Sequence, residues 1–136
     1  NSAPLNIADL RGKVVLVNFW TYGCVNCINA LPHVVELNRK YKDRGLVVVG
    51  VHTPEFPFER SASNVQTALK RHGITYPVAQ AGTDLATDYG ADAFPFHVLV
   101  GPDGTVLERL ESGFHDREEL RALIARHTLD REALRR

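Results

Sequence analysis

The stretch "FWTYGCVNCINALP", residues 19–32, holds both cysteines of this 136-residue chain, Cys24 and Cys27. The run before them, "VVLVNFW" at 14–20, is β-branched and aromatic, with Asn18 its one polar residue. Such a run reads as a strand buried on both faces. After it, Cys27, Ile28, Leu31, Val34, Val35 and Leu37 recur mostly at steps of three and four. That spacing predicts an amphipathic helix from Cys24 to about Asp43, ending before Gly45. Pro32 falls inside it and should kink it, because it removes a backbone donor. Cys24 therefore sits where a buried strand gives way to a helix N-terminus. The free N–H groups and positive dipole end there stabilise a thiolate. Cys27, one turn inward, is placed to attack a mixed disulfide formed at Cys24 and release the product. A CxxC at a strand–helix junction is a stronger redox signal than the motif alone.

Two other readings of the pair stand beside this one. Two inert buried cysteines are common enough, but that reading does not explain the position of Cys24. A zinc site would need a second CxxC or a paired-histidine motif, and the sequence has neither. Copper(I) held by two thiolates and one histidine stays open. His52 and His97, at strand ends near the expected site, are the histidines of interest, one of which could stabilise the Cys24 thiolate or ligate copper. His33, His72, His115 and His127 read as ordinary polar groups.

The whole chain sets wider bounds. Its length suits one domain, 1–136, with a proper core. Apolar residues make up 44% and charged residues 24%, and sixteen basic residues balance sixteen acidic ones. Zero net charge gives no reason to propose nucleic acid or an anionic membrane surface as partner. No run approaches the roughly 18 apolar residues of a membrane span. The chain contains no methionine. It is therefore expected to be a processed form, or a domain cut from a longer protein. Two cysteines do not make the disulfide framework of a tiny secreted protein.

Further along, "LVVVGVH" (46–52) reads as a second buried strand and "FERSASNVQTALKRHG" (58–73) as one helix. A short strand at 76–80 and a short helix at 82–90 follow. Residues 96–111 form a hairpin turning at Pro102-Asp103-Gly104. A last helix spans 115–127, with Asp116 and Glu119 as a capping box and Leu120, Leu123 and Ile124 as its apolar stripe. The order βαβα, hairpin, α predicts an α/β fold. Its first two strands are parallel through a right-handed crossover, the hairpin adds antiparallel strands, and helices flank this central mixed sheet.

With these residues placed, the sequence resembles the thioredoxin superfamily. "VVLVNFWTYGCVNC" is similar to its strand and active site, Pro32 to its helix proline, and "AFPFHVLVGPDG" to its cis-proline loop and hairpin. "GKVVLVNFW", the helix and strand inserted between 58 and 80 before that proline, and "GPDGTVLERLESG" resemble the TlpA/ResA-type branch. "LPHVVELNRKYKDRGLVVVGVHTPEF" looks most like the thioredoxin-like domain of DipZ-type proteins. The likeness covers roughly residues 4–127.

The resemblance implies Cys24 as attacking thiol, Cys27 as resolving thiol and Pro95 as the cis-proline facing them. Phe94, Trp20 and Tyr22 would line an apolar substrate groove, although Trp20 also suits ordinary core. Glu55, in "HTPEF", is similar to the glutamate that this branch places near its cysteines. Burial would raise its pKa toward a useful range. Asn18 stands where cytosolic thioredoxins have a buried acid, and asparagine cannot take a proton. Val25-Asn26, Gly23 and Phe96 also depart from better-known members. The function implied is thiol–disulfide exchange with partner proteins, as a reductase with no cofactor beyond its own dithiol. The resemblance places it outside the cytoplasm, tethered to the membrane and fed by a CcdA-type electron donor. Two alternatives are a copper-binding chaperone module and a peroxidase-like redoxin. Thr21 three residues before Cys24 echoes the peroxiredoxin Thr-x-x-Cys, but position 17 is valine where that motif expects proline.

Overall fold

The computed structural model describes residues 10–91 and 93–110. The helix expected at 115–127, with Asp116, Glu119 and its leucine stripe, lies outside the described residues. The elements are β1 (Val14–Trp20), α1 (Val25–Tyr41), β2 (Leu46–His52), α2 (Ala62–Arg71), β3 (Val78–Gln80), α3 (Thr83–Asp88), β4 (Phe96–Val100) and β5 (Val106–Leu110). Short 3₁₀ turns occupy Lys42–Arg44 and Pro57–Arg60.

The strands form one sheet in the order β3-β2-β1-β4-β5. β1 runs parallel to β2, and β2 to β3, while β4 is antiparallel to both β1 and β5. The expected mixed sheet is therefore present. Alternate residues of each strand face opposite sides, and both sides are buried. On one side Val14, Leu16, Trp20, Leu46, Val48 and Leu99 pack with Cys27, Leu31, Val34, Leu37 and Tyr41 of α1 and Val65, Ala68 and Leu69 of α2. On the other, Phe19, Val51, Phe96 and Val98 pack with Ala86 of α3. This two-sided burial explains why the strands read as continuous apolar runs.

α1 ends as its spacing predicts, through a 3₁₀ turn into Gly45 at φ 96°. Pro32 lies inside α1 on an exposed position. The one helix expected at 58–73 is instead two pieces. Pro57 opens a 3₁₀ turn, and Ser61 caps a new helix by accepting the Asn64 N–H at 3.4 Å. The break matters, because it frees Glu59 to turn away from a helix surface and into the protein.

Leu31 is buried at the centre of the α1 contact with the sheet. Leu31→Ala should lower stability by about 2–5 kcal/mol, the usual cost of a lost side chain plus its cavity. The urea midpoint, at unchanged slope, measures it.

Candidate active site

Cys24 is the N-cap of α1, with extended backbone (φ −100°, ψ 118°). Its carbonyl accepts from Ile28 N–H at 3.0 Å, and its Sγ accepts from Cys27 N–H at 3.3 Å. The sulfur thus occupies the place of a capping oxygen and satisfies a free donor of the first turn. Both cysteines are thiols, Cys24 part-exposed and Cys27 buried at 1% exposure. Burial pushes the Cys27 thiol well above the usual range. Its hydrogen bond with Cys24 adds to this, and a backbone hydrogen bond with Thr21 opposes it. The two sulfurs are therefore unequal: one reachable, the other deep and reluctant to ionise.

The Phe94–Pro95 bond is cis, the geometry the resemblance implied. The Phe94 carbonyl accepts from the Cys24 thiol at 3.7 Å, which brings this loop against the reacting sulfur. Pro95 is buried and Phe94 half-buried. Tyr22 is half-buried beside the pair, stacked on His52 with centroids 5.5 Å apart. Trp20 does not belong with them. It is wholly buried in the α1 side of the core, edge-on to His52, and so cannot line a surface groove.

The resemblance singles out Glu55 as the glutamate near the cysteines, but a second glutamate lies deeper. Glu59 is the buried carboxylate, at 0% exposure, while Glu55 is exposed. Oε1 of Glu59 accepts from the N–H groups of Glu55 and Phe56, both at 2.9 Å. Oε2 accepts from Gly23 N–H at 3.0 Å, and the Thr21 hydroxyl also binds the carboxylate. Burial alone would raise the pKa of Glu59, but these donors outweigh it and hold the carboxyl below its ordinary value. Glu55 moves the opposite way, raised by partial burial and then by the charge of Glu59.

Gly23 makes the clamp possible. A β-carbon there would lie 2.2 Å from Oε2 of Glu59 and 3.2 Å from the Phe58 ring. Sequence reasoning missed Glu59 because a single helix over 58–73 would have placed it on a solvated first turn. The signal available was Pro57 followed by Ser61, a turn and then a cap.

Buried polar side chains lie at the neighbouring strand ends. His52 Nε2 accepts from Tyr22 N–H at 3.3 Å and lies 3.4 Å from the Thr21 hydroxyl. Burial lowers its pKa, against the charge of Glu59 and a hydrogen bond with Gln80. Burial pushes His97 down to about 4, so it is neutral at pH 7. It pairs across the sheet with Asn18, whose side chain meets the buried Tyr76 phenol. Among the described residues, no group of three or more His, Cys, Asp or Glu is placed to hold a metal ion. In the same residues no helix is long and apolar enough to cross a membrane.

A strand leading to a half-exposed N-cap thiol, a buried thiol one turn on and the Phe94 carbonyl of a cis-proline loop at the first sulfur define a thiol-active protein of the thioredoxin-like fold. The chain belongs to the Redoxin family, whose model matches residues 1–124. It is 45% identical over 104 residues to Protein DipZ of Mycobacterium tuberculosis, covering 76% of this chain and 15% of that protein. It is 29% identical over 125 residues to the thiol-disulfide oxidoreductase ResA of Bacillus anthracis, covering 91% of this chain and 69% of that one. A solved structure of a putative thiol:disulfide interchange protein DsbE from Chlorobium tepidum matches with a TM-score of 0.80 at 25% identity, over 90% of this chain and 84% of that one. The chain thus spans a small part of DipZ and most of ResA. These relatives agree with the TlpA/ResA-type branch that the sequence resembles.

Glu59→Gln should cost about 1–3 kcal/mol, because one oxygen acceptor becomes a donor facing buried N–H groups. The folded pKa of Glu59 lies below its unfolded value. Its stabilisation is therefore fully present above the unfolded pKa, about 4.3, and is lost as pH falls through the folded one. The stability difference between wild type and Glu59→Gln should accordingly shrink below about pH 4. Urea midpoints between about pH 3 and 7 measure it.

Proposed function

We propose that this chain exchanges disulfides with partner proteins through its own dithiol, running as a reductase. The observation that carries the reading is the inequality of the sulfurs: Cys24 is accessible at a helix N-terminus, with Cys27 buried one turn behind it. Cys24 as thiolate attacks one sulfur of a partner disulfide. The Cys24–partner bond forms as the partner's S–S bond breaks, and the leaving sulfur takes up a proton. Cys27 then loses its proton and attacks Cys24 Sγ. The Cys24–Cys27 disulfide forms and the partner leaves as a dithiol, carrying two electrons.

The costly step is deprotonation of Cys27, since burial favours its neutral form. We assign the acceptor role to Glu55. Its pKa is raised, and its charge is among the causes raising that of Cys27, so the two lie within electrostatic range. Glu59 is a poorer base because four donors hold its charge. Tyr22, Phe94 and Pro95 border Cys24 and would contact the partner. Trp20 acts through packing. From the resemblance to the TlpA/ResA-type branch, we also propose a place outside the cytoplasm, a membrane tether and recharging by a CcdA-type donor.

Two experiments test this. Cys27→Ser should accumulate mixed disulfides through Cys24, visible as higher-mass species on non-reducing gels and lost on adding dithiothreitol. Cys24→Ser should form none, and trapping through Cys27 instead would reverse the roles. Glu55→Gln should slow resolution of a mixed disulfide at the low end of the 10²–10⁴-fold range of general acid–base catalysis. In wild type the rate should rise with pH as Glu55 ionises at its raised pKa, and the variant should lack that limb. Superimposable profiles would leave water as the acceptor.

A further inference from the structure

Five large apolar residues are well exposed among the described residues: Val25, Phe56, Phe58, Leu85 and Val106. Three of them gather at the reacting thiol. Val25 follows Cys24 directly and is 73% exposed. The Phe58 ring lies over Gly23, the residue before Cys24. Phe56 stacks on Phe58, with centroids 5.9 Å apart and planes within 9°. Tyr22 closes the row, edge-on to Phe58 at 6.0 Å. The two phenylalanines are 56% and 59% exposed.

We propose that Phe56 and Phe58, with Tyr22, form a docking shelf for an apolar side chain flanking the reacting half-cystine of a partner protein. This rests on the exchange reading above and gives its site a substrate class: disulfides set in apolar sequence.

The shelf is held rigid although its rings face water. Tyr22 Oη donates to the Phe58 carbonyl at 2.5 Å. The next residue, Glu59, anchors the turn from below through Gly23, Glu55 and Phe56. Pro57 restricts the backbone between the two rings. The rings therefore cannot fold into the core, and a binder meets them without ordering a loop first.

The occupant follows from the covalent intermediate. In a mixed disulfide the partner sulfur sits about 2 Å from Cys24 Sγ. The partner's chain advances roughly 3.3–3.6 Å per residue from there. Residues one or two places from its cysteine must therefore lie over whatever borders Cys24. On the α1 side that border is Val25, and on the turn side it is the shelf. Glu59 is buried and committed to its donors, so the charge bordering the shelf is Glu55, exposed at its edge beside Phe56, while the shelf itself is apolar. Stacked rings offer area to an aromatic or branched aliphatic side chain, while their negative faces disfavour an anionic one.

The test uses two peptide disulfides, identical except at the positions flanking the cysteine, Phe and Leu in one and Ser in the other. Wild type should reduce the apolar peptide about ten-fold faster by second-order rate constant, the factor expected for one well-packed ring contact. The double variant F56S/F58S should bring the ratio of the two rates close to one. F56Y/F58Y, which keeps the rings, should preserve it. A wild-type ratio of one, or an unchanged ratio in F56S/F58S, overturns the shelf while leaving exchange intact. Failure to reduce either peptide overturns the exchange reading, and the shelf with it. If the chain dimerises at assay concentration, and F56S/F58S abolishes the dimer with the ratio unmoved, the surface serves self-association and the proposal is wrong.

Discussion

The carboxylate of Glu59, buried under the turn that carries Cys24, ties together two loops that the sheet alone does not join. One loop follows β1 and leads to the thiol. The other follows β2 and carries Glu55, Phe56 and Phe58. Four donors from both loops converge on its two oxygens. A buried charge is tolerable only when so satisfied. Gly23 supplies the room, since any side chain there would collide with the oxygen. The position of the attacking sulfur, the exposure of the aromatic pair and the separate fates of two glutamates four residues apart all depend on this one contact.

Around that contact the sheet acts as a frame. β1 lies centrally, between parallel β2 and antiparallel β4, so three segments deliver their ends to one place. β1 brings Thr21 and Tyr22, β2 brings His52 and the Glu55 loop, and the start of β4 brings Phe94 and Pro95. Packing on both faces keeps those ends from drifting. The side of the sheet under α1 also carries Asn18, His52 and His97, and burial keeps both histidines largely neutral.

The two sulfurs divide the chemistry by depth. Cys24 replaces a capping oxygen, so the backbone that would bind any N-cap residue here binds the nucleophile. Cys27, on the inward face of α1, is part of the core before it is part of the reaction. Its burial raises the pKa of its thiol. The pKa of Glu55 at the rim is raised as well, whereas that of the clamped Glu59 is lowered.

Much of this was legible in the sequence. The apolar run at 14–20, the CxxC after it and the three-four spacing behind it determined a buried strand, an N-terminal thiol and a helix, because each depends on neighbours along the chain. The hairpin was readable from its turn at Pro102-Asp103-Gly104, and the antiparallel β4–β5 pairing agrees with it, whereas the cis Phe94–Pro95 bond came only through resemblance. Trp20 was ambiguous, since an aromatic residue at a strand end serves core and groove equally well until the helix packs over it. Glu59 was hidden, because a carboxylate in "FERS" looks like surface until Pro57 and Ser61 break the helix and the turn before Cys24 folds over it. Hydrogen bonds between residues 36 apart, such as Gly23 to Glu59, leave no periodicity to read. Only the tertiary structure decided which acid was buried and which rings were left exposed.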